Sequence, residues 1–570
     1  MMITQHWLTD AASRAMDAIL ARLDLERGAR PYFWVDYQTQ PPQAQHSYWD
    51  TCDIAGRFVD GLALARLMTG RQDALAAEAM LRHFLWAQQD ASDGLFYNPD
   101  DEKSETNAEM SKYIPAAGVL TSGRHVDLFC QRAPLLAMTT LLQLGDDTMR
   151  PRLEKMVRGL AAIALHHGDE WRFPAYRWAQ TMKPEWSAPV NVPEKWIGYR
   201  YALLTALARY AEVSRDPAAI DLALGLARHY MRHGDVPPDG HYRANTHSGG
   251  VLPVTVGIAR LGIAFEQADM VAWAHNVYKW TRANMPEFGF LPDGLGMDGF
   301  WAGTCETCAL ADFVHLAVLL SEAGGGDYWD DIEKVTRNQL LENQYCDRDA
   351  IRSTFPGIAD DVLAMLHGGF ECAAHPNELF IYVGAEGCCI GGGMRALYLA
   401  WRAAIDTRDG ETRVRYGISR TTAAVEVVGH EPWAGRIDVT ARQSNRVAIR
   451  LPSYVNTAHV AATLDGQMVD LPIIDRYAVF DSLTPGQTAS VQYPLPAESR
   501  HYHVAGNAYE AEWLGHTVMA MHPDGGRYPI YQRGDWLKAC LHNEDTEAMS
   551  PSAAKSPSTA QPVVDTPMLW

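Results

Sequence analysis

The feature that most constrains this chain is a change of hydrophobic period part-way along it. From Thr9 to about Ala404, apolar residues recur at three- and four-residue spacing over Ile54 to Met68, Ala74 to Gln88, Ala133 to Leu144, Leu153 to His166 and Ile197 to Val213, and again over Ile220 to Arg232, Val254 to Glu266, Ala309 to Glu322 and Met394 to Ala403. Several come as pairs joined by Gly, Pro or Asp turns, as where Asp216-Pro217 parts two amphipathic stretches. A train of helical hairpins with no fixed sequence period points to a closed ring of helices rather than a repeat solenoid. After Thr407 the pattern becomes short alternating runs such as "RVAIRLPSYV", with Asp465-Gly466 and Pro485-Gly486 as turns. The expected fold class is α+β and multidomain: a closed ring of helices over 1–406, then an antiparallel β-sandwich over 407–540. A Ser/Pro/Thr/Ala-rich tail follows over 541–570.

Composition enters through charge. With 49 Lys and Arg against 69 Asp and Glu, the net charge of -20 is the wrong sign for a phosphate backbone or an anionic lipid surface. No nucleic-acid or membrane partner is expected. The first residues show no basic segment followed by an apolar run, so a cytoplasmic setting with reduced thiols is expected. The sandwich edges and the aromatic C-terminus leave room for a homodimer.

The nine cysteines are odd in number and cluster unevenly, which makes a poor disulfide framework. Two motifs stand out. "CETC" (Cys305 to Cys308) and "EGCCIGGG" (Glu386 to Gly393) each open a helix, where orphan backbone N–H groups and the helix dipole stabilise thiolate. A vicinal pair such as Cys388-Cys389 is explained better by a shared metal than by a mutual disulfide, and two or three thiolates with a carboxylate make a zinc set. Whether Cys305 joins Cys308, or Glu306 and Cys308 turn inward together, spacing does not decide; the second requires extended chain just before the helix.

"ETC" at Glu306 to Cys308, then the Cys388-Cys389 pair followed by a small-residue turn and Arg395, resembles the β-L-arabinofuranosidase family, glycoside hydrolase family 127 and its relatives. Segments such as "DIAGRFVDGLALARLMTG", "THSGGVLPVTVGIARLGIAF" and "DRYAVFDSLTPGQTASVQYPLP" extend the likeness over most of the chain. The resemblance implies an (α/α)6 barrel with a β-sandwich and a Zn2+ held by Glu306, Cys308, Cys388 and Cys389. It also implies a retaining exo-glycosidase that removes a terminal furanose from an oligosaccharide or glycoside, with Cys388 as nucleophile. Its acid/base is a glutamate upstream of the ETC motif, for which Glu287 is the nearest match. The interval is longer than the family's, so Asp293 and Asp298 stand as substitutes. His247, Trp49, Tyr48, Asp50 and Trp301 are the expected sugar-binding residues, with Asp53 and Arg57 at the barrel mouth. The competing expectations are another (α/α)6 carbohydrate enzyme with a purely structural zinc, and a non-catalytic carbohydrate-binding homologue.

Overall fold

The computed structural model describes residues 6–98, 125–174, 177–178, 197–243, 246–295 and 299–533. The tail expected over 541–570 and the alternative acid Asp298 lie outside the described residues.

Among the described residues, six helices form an inner ring: Asp53–Thr69, Arg132–Gln143, Leu204–Ser214, Ser248–Ala264, Thr307–Glu322 and Gly387–Ala403. Each packs on the next, and helix 387–403 closes the ring against helix 53–69. The outer layer is Trp7–Ala21, Leu75–Ala87, Met149–Ile163, Pro217–His233, Ala268–Ala283 and Trp329–Val335, which alternate with the inner helices along the chain. Sequence explains the layering. Inner helices such as 307–322 and 387–403 are buried on nearly every face, whereas outer helices such as 149–163 bury one stripe. Asp216 caps helix 217–233 by accepting from the Ala218 N–H, and Pro217 occupies its first turn.

Two expected bounds shift. The stretch expected as one helix over Ile197 to Val213 is two helices, Ile197–Tyr201 and Leu204–Ser214. The last inner helix begins at Gly387, so it includes the three glycines expected to form a turn. A Cβ on Gly391 would stand 2.7 Å from the Arg57 Cβ, and one on Gly393 would meet the Phe370 ring at 2.6 Å. Close approach of neighbouring elements thus outweighs the roughly 1 kcal/mol per residue that glycine costs inside a helix.

Beyond the barrel lie a five-stranded sheet (405–408, 411–414, 445–450, 477–483, 473–474 in spatial order) and a six-stranded one (420–421, 425–429, 436–441, 488–492, 461–464, 467–468). Pairing is antiparallel except between 411–414 and 445–450, which run parallel. Alternate residues such as Val425, Val427, Ile437, Val439, Val447 and Ile449 point into a core continuous with the barrel's. A separate three-stranded sheet (497–504, 507–514, 517–522) folds back to the barrel, where Tyr502 packs edge-on against Phe288.

The junction of barrel and sheets is a buried ionic network. Glu333 accepts from Arg337 (2.9 Å) and pairs with His516 (3.2 Å), while Asp330 accepts from Arg450 (2.6 Å). Although burial opposes it, Glu333 stays below the usual carboxylate range because Arg337 and His516 face it. The same carboxylates raise His516 against the opposing effect of burial. The two groups stabilise the fold together between their ordinary values of 4.5 and 6.5; below that window Glu333 progressively protonates, and above it His516 loses its proton. Glu333→Gln should lower unfolding free energy by on the order of 3 kcal/mol in denaturant titration at pH 5.5. That cost should shrink at alkaline pH. Breaking the exposed Arg352–Asp360 pair, whose side chains are 48% and 87% accessible, should cost less than about 1 kcal/mol.

Candidate active site and metal centre

Because outer helices carry the chain back each time, all six inner helices start at the same end of the barrel. One cavity of about 120 Å³ sits there. Its wall includes Asp53 and Arg132, each the first residue of an inner helix, and Tyr199 from the short helix 197–201. It also includes His247, Glu306 and Glu386, each the residue before one. A single water occupies roughly 10–15 Å³ by the same measure, so the space fits on the order of ten non-hydrogen atoms, about one monosaccharide. Phe33, Trp49, Phe129, Trp301 and Tyr382 supply the aromatic wall.

At one side of this cavity the two motifs meet. Glu306 is extended (φ -86°, ψ 131°) immediately before helix 307–322, and Glu386 has the same conformation before helix 387–403. Each therefore presents Glu-x-Cys in one pose, on adjacent inner helices. The ligand atoms of Glu306, Cys308, Cys388 and Cys389 lie within 4.8 Å of one another. Cys308 Sγ is 3.7 Å from Cys389 Sγ, and Cys388 Sγ is 3.9 Å from it. A metal–sulfur bond of about 2.3 Å gives a tetrahedral S···S edge of about 3.8 Å, while a disulfide needs about 2.05 Å. The spacing fits a tetrahedral metal. Cys305 bridges instead to Ala374 and is absent from this group, so Glu306 with Cys308 is the inward-facing pair.

The electrostatics agree. Cys308 is held well below the usual thiol range by hydrogen bonds from the Cys388 and Cys389 thiols, with help from Arg57, whose Nη1 is 3.6 Å from Cys308 Sγ. Cys388 is pushed up by its bond to Cys308, and Cys389 by burial. Burial also raises Glu306 and, to about 7, Glu386. Four such donors cannot all ionise side by side in a buried site without a cation. A Cβ on Gly392 would stand 3.0 Å from Cys308 Sγ, so the absence of a side chain there lets the two helices bring their sulfurs together.

The structure brings some expected residues together and separates others. Trp49, His247 and Trp301 line the cavity. His247 Nδ1 is 3.1 Å from the Tyr199 hydroxyl and its Nε2 3.6 Å from Glu306, and burial lowers it to about 4, leaving it neutral. Tyr48 is buried against Trp49 and does not line the cavity. Asp50 accepts from the backbone N–H groups of Phe33 and Ser47 and from Arg30, so it braces the wall residue Phe33 rather than facing substrate. Glu287 stands apart from the cavity. Its side chain is 45% exposed, pairs with Arg500 of the three-stranded sheet, and lies outside the cavity wall, because the loop that carries it turns toward that sheet.

Asp293 does line the cavity, but it accepts from the Glu306 N–H (2.6 Å) and the Thr304 hydroxyl (2.8 Å), which fixes the loop into the ETC motif. Asp53 is tied to Arg57 at 2.9 Å. Glu386 was not singled out from sequence; its Oε2 is 3.2 Å from the Cys388 thiol. The repeated Glu-x-Cys spacing was the signal that could have found it. Phe129, Arg132, Tyr199 and Tyr382 carried no such signal.

No family model matches the chain, and no curated protein matches it in sequence. Solved structures do match in fold. A GH127 β-L-arabinofuranosidase from Geobacillus stearothermophilus T6 superposes with a TM-score of 0.57 at 14% identity, covering 90% of this chain and 80% of that one. A second GH127 β-arabinofuranosidase gives 0.58 at 12% identity with the same coverage, and a structure described as a glycoside hydrolase gives 0.55 at 13%, covering 82% and 77%.

If the spacing of the sulfurs serves a metal, Gly392→Ala should lower retained zinc per chain, measured by elemental analysis after dialysis against a weak chelator, while the far-UV spectrum stays that of the parent. Undiminished retention would contradict this packing argument. The chain has the fold of the glycoside hydrolase family 127 β-L-arabinofuranosidases, in agreement with the resemblance carried by its ETC and vicinal-cysteine motifs.

Proposed function

We propose that the protein is a retaining exo-glycosidase that removes a terminal β-L-arabinofuranose or a closely related sugar. The observation that carries this reading is the set of three sulfurs and one carboxylate, spaced for a tetrahedral metal, in the wall of a cavity sized for one sugar. Glu306, Cys308, Cys388 and Cys389 would hold Zn2+. When bound, the ion supplies positive charge that keeps the sulfurs deprotonated at neutral pH.

Cys388 is the nucleophile. Its sulfur attacks the anomeric carbon and the bond to the leaving oxygen breaks, giving a thioglycosyl-enzyme that water then hydrolyses with overall retention. Glu386 is the proton carrier. Of the carboxylates in the wall, Glu306 belongs to the donor set, Asp53 is held by Arg57, and Asp293 holds the ETC loop. The Glu386 carboxyl stands against the Cys388 thiol, placed to protonate the leaving oxygen and then to take a proton from the incoming water. Trp49, Trp301 and neutral His247 position the sugar, and the blind shape of the pocket favours release of one sugar at a time. The acidic surface has no recognition role with such a neutral substrate.

The test uses an aryl β-L-arabinofuranoside. Cys388→Ser should lower kcat/KM by about 10⁴-fold or more, and Glu386→Gln by about 10²- to 10⁴-fold. Glu287→Ala should leave it little changed. Turnover surviving in Cys388→Ser would overturn the thiolate mechanism, and a large loss in Glu287→Ala with none in Glu386→Gln would return the acid/base role to Glu287.

A further inference from the structure

Away from the pocket, the outer wall of the barrel gathers a second group of metal-ligating side chains. His229 and His233 are four residues apart near the end of helix 217–233, so both leave the same face; their ring centroids are 4.7 Å apart. A hairpin of strands Leu165–His167 and Glu170–Arg172 packs on this helix and adds Glu170. One ligand atom from each of Glu170, His229 and His233 falls within 4.8 Å of the others. Two imidazoles at helical spacing and one carboxylate from a neighbouring element are a familiar donor set for zinc and its neighbours in the first transition series.

The group is held in place from behind. Trp171 donates its indole N–H to Asp221 at 3.0 Å, and its ring presses so closely on Gly225 that a Cβ there would stand 2.2 Å from it; the hairpin is thereby pinned to the helix. Glu170 uses its two oxygens separately: Oε1 accepts from Arg232, which orients the carboxylate, while Oε2 lies 3.5 Å from His233 Nε2. The Tyr201 hydroxyl is 2.7 Å from His229 Nδ1, a partner of the kind that fixes a ligating imidazole by its other nitrogen. The Glu170 side chain is 12% exposed and the His233 side chain 56%, so the group has a sheltered base and an open edge for an ion to enter. His167 stands directly across from Glu170 in the hairpin register, on the same side of the ribbon.

We propose that Glu170, His229 and His233 form a metal site for a borderline divalent transition ion such as Zn2+, distinct from the pocket and serving to clamp the hairpin to the barrel wall. Arg232 competes for the same carboxylate, which makes this an exchangeable site rather than a permanently filled one.

The test is a Co2+ titration of the full chain after removal of bound metal, followed by absorption spectroscopy. The wild type should show visible d–d bands from a nitrogen and oxygen site in addition to the thiolate-to-cobalt charge transfer of the pocket. His233→Ala, an exposed position, should lose the former bands and one equivalent of bound Co2+ while keeping the charge transfer. Cys389→Ser should weaken the charge transfer, two of three sulfurs remaining, and keep the other site. Tyr201→Phe should weaken the wall site by about tenfold. Equal stoichiometry and identical spectra in wild type and His233→Ala would overturn the proposal. Absence of charge transfer from the wild type would instead contradict the pocket reading and leave the wall site standing.

Discussion

The rest of the structure depends on bringing several anionic donors together in a buried place. Three cysteine sulfurs and a glutamate lie within 4.8 Å of one another at the cavity wall, an arrangement that costs too much as separate charges and becomes favourable around a cation. What makes the gathering feasible is the ring of helices. Six inner helices begin at one end, and each N-terminus contributes orphan N–H groups and about half a positive charge to that end. Arg57, buried beneath the site and shared between Asp53 and Cys308, adds a full charge. The fold thus prepares an electropositive mouth, and two Glu-x-Cys segments on adjacent helices fill it.

The same architecture explains why the pocket is small and blind. Inner helices that are buried on nearly every face pack the barrel below the site, and the aromatic rings of Trp49, Phe129, Trp301 and Tyr382 line the cavity. Such a site suits a single sugar ring. The sheets contribute at a distance: the buried Glu333, His516 and Arg337 network locks them to the barrel, and Arg500 of the three-stranded sheet draws Glu287 out of reach of the pocket.

Much of this was legible in the sequence, for identifiable physical reasons. The 3.6-residue period betrayed the helices and the turn signals their pairing, and the shift to alternation near residue 407 marked the sheets, the first strand of which is Ile405–Arg408. The cysteine motifs stood out because thiols at helix starts are chemically conspicuous. What escaped was set by three-dimensional contact. The Gly391–Gly393 run reads as a turn locally, whereas it is helical and its lack of side chains admits Arg57, Cys308 and Phe370 close to the backbone. Tyr48 and Asp50 neighbour Trp49 in sequence, yet a single 3-10 turn over Tyr48–Asp50 directs them to different surroundings. The position of Glu287 is decided by Arg500, which no local pattern links to it.

The central claim is that a cysteine sulfur, rather than a carboxylate, carries the sugar between the two chemical steps. Its most direct test is peptide mass mapping of enzyme quenched in acid during turnover of an aryl β-L-arabinofuranoside. The account predicts one pentosyl unit on Cys388. A pentosyl unit on a carboxylate, or an unmodified Cys388 throughout turnover under conditions that accumulate a glycosyl-enzyme, would contradict it.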